Sequence, residues 1–386
     1  MEGNGTQPPR GRFPLGEEQR LLWLMLIRSE NVGPATFRDL INHYGTAAAA
    51  LEALPELAKR GGVAARIKIC SRRDAEAEMA AARKAGARFI GMGEPDYPRL
   101  LRGLDYPPPL ICARGELGAA HKPAVGIVGS RNASISGQKL TARFARELGE
   151  AGYTIISGLA RGIDAAAHKA ALGTGTIAVM AGGIDIPFPP EHGELANSIV
   201  DAGSCLVSEM PTGWQPRAID FPRRNRIIAG LSLGVVVVEA AKRSGSLITA
   251  RLASETGRQV MAVPGSPLDP RAEGTNHLIR QGATLITSSA DIIEVLAPMG
   301  GSEPQLPFDV GENGSEEYET DSHPVRPASD AARQRIISAL GPSPTEIDDI
   351  IRFTGLAPGE VQMVLLELDL AGKLERHFGN RVSLQL

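Results

Sequence analysis

Cysteine is scarce in this 386-residue chain. Cys70, Cys112 and Cys205 are far apart and form no CxxC pair, which argues against a zinc site and against a disulfide framework. No run of ~18 apolar residues occurs, so no membrane-spanning helix is expected. Met1 to Arg12 is polar, contains Gly and Pro, and has no apolar signal core. A reducing, cytoplasmic compartment is therefore expected. The phosphate-loop pattern GxxxxGK[ST] is missing, and with it any support for ATP hydrolysis.

Net charge is only −3, but its placement is uneven. Residues 301–330 hold eight acids (Glu303, Asp309, Glu312, Glu316, Glu317, Glu319, Asp321, Asp330) against one base, Arg326. Without them 36 acids face 40 bases, a balance of +4. The remaining chain is mildly basic, and local patches decide what an anionic partner would meet.

The length is too great for one core, and two or three domains are expected. Residues 1–85 read as an N-terminal helical domain. Its apolar positions are Leu21, Leu22, Leu24, Met25 and Ile27, then Phe37, Leu40 and Ile41, then Leu51, Leu54 and Leu57. The turn Asn31-Val32-Gly33-Pro34 separates two helices, with Pro34 placed as a first helical residue. Such a hairpin can present its turn to a DNA backbone; a plain helical bundle is the alternative.

Residues 86–298 begin with a proline-restricted connection, Glu94 to Pro109, and continue as an α/β pattern. Apolar β-type runs occur at Val125–Val128, Thr154–Ile156, Thr176–Met180, Cys205–Val207, Val235–Val238, Val260–Val263 and Thr284–Ile286. Helical segments separate most of them. This alternation implies a parallel sheet buried on both faces, with ligands bound beyond the carboxyl ends of its strands. Residues 299–329 read as a flexible acidic linker. Residues 330–386 fit helices at 330–340, 344–353 and 358–371 and a β-wing from Lys373 to Leu384, a winged-helix layout.

Four short loops follow strands: Gly129-Ser130-Arg131, Ser157 to Gly162, Gly182-Gly183 and Ser244-Gly245-Ser246. Small residues let backbone N–H groups approach an anion, and a following helix adds its positive N-terminus. Gly129-Ser130-Arg131 departs from GxGxxG, and no acid follows in Thr154-Ile155-Ile156-Ser157, which weakens dinucleotide binding. Gly158, Arg161 and Gly162 open an Ala-rich helix in which Asp164 and His168 are four apart and can touch as a charge-oriented pair. No serine or cysteine nucleophile is evident beside them. Arg223, Arg224, Asn225 and Arg226 start another helix, next to Phe221, which can pack inside or stack on a base. Several phosphate-sized sites beside an arginine cluster fit a polyanionic strand better than a single nucleotide. The last motif helix, Pro358 to Ala371, holds Glu360, Glu367 and Asp369 and no base, so protein contact is as open there as duplex DNA contact. Only the wing residues Lys373, Arg376, His377 and Arg381 favour DNA.

Together the central motifs resemble the DprA/Smf (DNA-processing protein A) family. The matching stretches run in order: Ile127–Arg131, Ser157–His168, Ala181–Asp185, Phe221–Ser232, Glu239 with Ser244–Ala250, Val263–Gly265 and Gly274–Asn276. The resemblance implies an extended Rossmann-like parallel sheet core between an N-terminal helical domain of the SAM or helix-hairpin-helix kind and a C-terminal winged helix. It also implies single-stranded DNA binding and assistance in loading RecA recombinase during natural transformation. Arg131 would contact a phosphate, and the arginines of Phe221–Arg226 would line the same pocket. The expected partners are single-stranded DNA, RecA and a second copy of the chain. No catalytic residue, metal or cofactor is assigned, and no enzymatic activity is expected. The alternative is a LOG-like nucleoside-monophosphate phosphoribohydrolase. That group carries a Pro-Gly-Gly-x-Gly-Thr-x-x-Glu loop, where this chain has Glu239 followed by Ser244-Gly245-Ser246.

Overall fold

The computed structural model describes residues 15–62, 67–299 and 329–385. Met1 to Arg12 and nearly all of the 299–329 segment read as a linker lie outside the described residues. Three helices come first: α1 (Glu17–Arg28), α2 (Pro34–Tyr44) and α3 (Ala47–Arg60). Pro34 opens α2 as its first residue, where a missing N–H costs nothing. Thr46 caps α3 by accepting from Ala49 N.

The α/β part follows in chain order: α4 (Arg72–Lys84), β1 (Ala87–Gly91), α5 (Arg99–Arg102), β2 (Leu110–Gly115), β3 (Ala124–Val128), α6 (Ile135–Glu150), β4 (Thr154–Ser157), α7 (Ile163–Ala170), β5 (Thr176–Val179), α8 (Gly193–Asp201), β6 (Cys205–Ser208), α9 (Asp220–Gly230), β7 (Gly234–Val237), α10 (Gly245–Glu255), β8 (Gln259–Ala262), α11 (Glu273–Arg280), β9 (Thr284–Leu285) and α12 (Ser289–Leu296). The sheet has nine strands in the order β1-β2-β6-β5-β4-β3-β7-β8-β9. Seven neighbouring strands, β3 to β9, pair in parallel. β1 and β2 extend one edge in antiparallel register. Glu94 to Pro109 does connect, but it joins two strands of this same sheet. The prolines around it obscured the short apolar runs on either side.

Buried positions explain the alternation. All five residues of β3 and all four of β4, β5, β6 and β7 are buried, as a sheet covered on both faces requires. Phe144, Ala145 and Leu148 of α6 and Ile163, Ala167 and Ala171 around α7 meet Val125, Ile127, Ile155 and Val236 in one core. Strand order reverses beside β3: β4, β5 and β6 lie to one side, β7, β8 and β9 to the other. The loops at the carboxyl ends of β3 and β4 therefore stand beside a topological switch.

The last part holds α13 (Asp330–Ala339), β10 (Thr345–Glu346), α14 (Ile347–Thr354), α15 (Pro358–Leu370), β11 (Leu374–His377) and β12 (Arg381–Leu384). It is a winged helix around Ile336, Ile350, Val361, Val364, Leu368 and Val382. α1 to α3 and this winged helix form one compact unit, and the α/β sheet forms another. Among the described residues no helix is long and apolar enough to cross a membrane.

Asp164 and His168 do not form the expected charge-oriented pair. His168 Nδ1 bonds Thr176 Oγ1 at 2.7 Å, while Asp164 turns to backbone N–H groups of the preceding loop. Burial pushes His168 down to about 3, so it is neutral in the core. An unfolded histidine titrates near 6.5. The folded value is lower, so the unfolded chain binds more protons between the two. Stabilisation is complete above pH ~6.5 and is lost as pH falls toward the folded value. Urea unfolding between pH 7 and 5 should show the wild type losing up to about 1.4 kcal/mol per pH unit more than His168→Gln. Parallel pH profiles for the two proteins would overturn this assignment.

Candidate nucleic-acid interface

The loops after β3 and β4 are packed against each other, and their glycines make this approach possible. A Cβ on Gly162, at φ +73°, would overlap Ser130 O. One on Gly129 would lie 2.6 Å from Ile163 Cγ1. Ile163 N donates to Ser130 O at 3.2 Å and closes the pair of loops. Arg131 leaves this junction exposed, with its guanidinium 5.1 Å from the centre of the Phe221 ring. Phe221 meets Phe188 edge to face at 5.4 Å, and Phe188 is 41% exposed. The result is a cation laid on an aromatic pair, with one ring open to solvent.

The Ser157–Gly162 loop presents a side chain rather than a backbone cradle. Asp164 Oδ2 accepts from Gly158 N at 3.1 Å and from Ala160 N at 3.3 Å. The N–H groups expected to hold a phosphate are thus taken by the chain's own carboxylate. His192 Nδ1 contacts Leu159 O at 2.8 Å. Leu159 is held at φ +57°, a conformation costing ~1–3 kcal/mol that only a fixed loop retains. Arg161 is exposed, and its Nε lies 2.5 Å from Glu191 Oε1. Hydrogen bonding from Arg161 holds the Glu191 carboxyl below its usual range.

The arginine cluster divides. Arg224 is only 6% exposed, contrary to the expectation that it lines a pocket. Its guanidinium bonds the carbonyls of Gly158, at 2.6 Å, and of Val179, and its Nε bonds Asn225 Oδ1 at 3.3 Å. Burial lowers Arg224 to about 10, and burial raises the Asp164 carboxyl while the arginine beside it pulls the other way. The position was legible in principle. Arg224 precedes Ile227 and Ile228 by three and four residues, on the same buried helix face. Asn225 is buried too, with Nδ2 donating to Gly245 O at 3.3 Å. Arg226 is half-buried, paired with Glu209 and bonded to Tyr106 O at 3.1 Å. Arg223 alone of the four is exposed, 3.4 Å from Glu209 Oε1.

The Gly182-Gly183 loop also turns inward, and the Ser244-Gly245-Ser246 loop does so only at Ser246, with Gly245 exposed. Gly182 and Gly183 are buried, and Gly183 N donates to Trp214 O at 2.9 Å. A Cβ on Gly182 would lie 2.9 Å from that same carbonyl. Close packing of the Pro211–Pro216 segment is what these glycines serve. Ser244 caps α10 by accepting from Ser246 N, and Ser246 is buried. Glu239 caps α6 from outside it: Ser134 N and Ser134 Oγ both donate to its carboxylate, at 2.9 and 2.5 Å. A Cβ on Gly137 would lie 2.5 Å from Glu239 Oε1, so that glycine makes room for the acid.

A cavity of about 250 Å³ lies open beside Arg131. Arg131, Arg161 and Lys169 line it together with Asn132, Gln138 and His192, and no carboxylate is among its lining residues. Lys169, Asn132, Gln138, His192 and Phe188 were missed from the sequence. Lys169 carried a signal, since it lies three residues after the half-exposed Ala166 on α7. His192 and Phe188 carried none, because only the fold brings their loop to the cavity. Three cations and hydrogen-bonding amides around an open hollow, flanked by an edge-to-face aromatic pair, suit a phosphate backbone with unpaired bases.

The family model for DNA recombination-mediator protein A matches residues 88–297. Models for a DprA-like N-terminal HHH domain and a DprA winged helix domain match residues 17–81 and 320–380. Protein Smf of Escherichia coli is 43% identical over 290 residues, 75% of this chain and 75% of that protein. The X-ray structure of DNA processing protein A from Streptococcus pneumoniae aligns with a TM-score of 0.58 at 34% identity, covering 72% of this chain and 97% of that one. DNA processing protein A from Helicobacter pylori, whose structure was described for its single-stranded DNA binding mode, aligns with a TM-score of 0.51 at 27% identity, covering 55% of this chain and 97% of that one.

Arg131→Ala and Lys169→Ala should each weaken binding of a labelled single-stranded oligonucleotide about tenfold, because a charged hydrogen bond is worth ~1.5–3 kcal/mol. Both variants should melt as the wild type does. Arg224→Ala should instead destabilise the fold by about 3–5 kcal/mol, since it strands Asp164 in the interior. A normally melting Arg224→Ala, or wild-type affinity in both surface variants, would relocate the interface.

Proposed function

The chain belongs to the DprA/Smf family, and from that premise we propose that it binds single-stranded DNA across the Arg131–Phe221 face, protects incoming DNA and helps load RecA recombinase in natural transformation. The observation that carries this reading is Arg131 laid over the Phe221 ring, which meets the exposed Phe188 edge to face, beside a cavity lined by three cations. Side-chain cations neutralise phosphates without reading sequence, and an exposed ring stacks on any base that is not already paired. Duplex DNA keeps its bases stacked on each other and gains only the phosphate contacts. The Helicobacter pylori relative's single-strand binding supports the choice of ligand.

A non-enzymatic role fits the same residues. His168 is neutral and buried against Thr176, and the hydroxyl beside Asp164, that of Ser157, is fully buried and donates to Ile127 O. The LOG-like alternative needs a glutamate aimed at a nucleotide. Both oxygens of Glu239 are instead engaged by Ser134, and its loop lacks the glycine pattern of that group. A homodimer, a contact with RecA and a cytoplasmic setting belong to the same proposal.

A gel-shift titration of matched single- and double-stranded oligonucleotides across a salt series tests the reading. The single strand should bind more tightly, with little dependence on its sequence. The logarithm of its affinity should fall with the logarithm of salt at about −0.7 per neutralised phosphate. Equal affinity for the duplex, or a flat salt response, would sink the proposal, as would release of free base from a nucleoside monophosphate.

A further inference from the structure

α15 occupies the second-helix place of a helix-turn-helix, from which a DNA groove is ordinarily read. Val361, Val364, Leu365 and Leu368 of this helix enter the core of the winged helix. Met363, Leu366, Glu367 and Leu370 are buried as well, outside that core. A helix that buries apolar residues on two faces must be covered on both sides. Its second cover is α2 and α3 of the N-terminal bundle, within the same compact unit.

Gly61 shows how close the approach is. It has φ −62° and ψ −11°, ordinary helical values that any residue adopts, so its own backbone does not call for glycine. A Cβ there would overlap Glu367 O and lie 2.8 Å from Ala371 Cβ. The glycine makes room for α15.

Polar groups on the two sides satisfy one another. Asp369 Oδ2 accepts from Thr36 Oγ1 at 2.9 Å and from Arg376 Nε at 2.8 Å. Arg376 Nη2 reaches Asp39 Oδ2 at 2.7 Å. Glu367 is paired with Arg333, which also donates to Arg60 O. Lys373 Nζ donates to Gly61 O and Gly62 O, at 3.1 and 3.2 Å, placing a cation on the negative end of α3. Asn31 Nδ2, in the hairpin turn between α1 and α2, donates to Leu370 O at the end of α15 at 2.9 Å. Glu367 and Asp369, two of the three acids that made α15 a poor reader of DNA, each have a cation within this unit. Two wing cations, Lys373 and Arg376, are spent on the N-terminal bundle.

We propose that the winged helix is a latch docked on the chain's own N-terminal helical bundle, with α15 as the docking helix. While it holds, α15 is closed to a DNA groove, and the Asn31–Pro34 turn is tied to the end of α15 through Asn31. The partner of this winged helix is thus the first domain of the same chain, and the inference does not depend on the single-strand site.

Hydrogen exchange read by peptide on the full-length chain tests it, with circular dichroism as the folding control. Gly61→Val keeps a helical backbone value but drives a side chain into Glu367 O. Arg376→Glu sets a third carboxylate beside Asp39 and Asp369. Each should speed exchange at least tenfold in α2, in the end of α3 and in the second half of α15, at unchanged helix content. Adding Asp39→Arg to Arg376→Glu should restore part of the protection. Wild-type exchange in both single variants would overturn the latch. Should Gly61→Val lose helix content, Arg376→Glu and its charge-swapped partner decide alone: no change in exchange overturns the proposal, and loss followed by rescue upholds it.

Discussion

Arg224 organises the carboxyl edge of the sheet. Its guanidinium lies under the loops after β4 and β5, bonded to the carbonyls of Gly158 and Val179 with Asp164 alongside. An unpaired charge at that depth would cost several kcal/mol, so the carbonyls and the acid must stay where they are. The constraint propagates. Gly158 must lack a side chain, because a Cβ would lie 2.6 Å from Arg224 Nη2. α9 is held with Arg224 inward, and its first turn brings Phe221 under Arg131. The exposed Arg131–Phe221 face depends on an arginine that is itself buried.

A second regularity follows from the first. Loops that look like anion cradles are filled by the chain's own carboxylates: Asp164 for Gly158 and Ala160, Glu239 for Ser134, Asp185 for Gly213 and Asp220 for Arg217. Backbone N–H groups in a fixed nest bind one phosphate in one place. With these satisfied internally, the proposed anion recognition falls to side chains such as Arg131 and Lys169, whose flexible stems suit a varying strand. That is the chemistry suited to a ligand without a defined sequence. The winged helix uses the same economy: Glu367 and Asp369 face Arg333 and Arg376, and the acids serve docking.

The alternation of strands and helices, the winged-helix layout and the prominence of Arg131 were determined by the sequence itself. Periodicity and turn chemistry are local properties, and a run such as Val125–Val128 between Gly-rich loops has few other ways to be buried. Which loop groups remain open was decided only by tertiary structure. Arg223, Arg224 and Arg226 look alike in the chain, but each residue of a helix turns about 100° from the last, and the sheet claims Arg224. His192 and Phe188 join the interface, and Asp369 meets Thr36, through contacts between residues far apart in sequence. No local pattern encodes such a partner, because burial and charge pairing across a fold are set by what packs alongside.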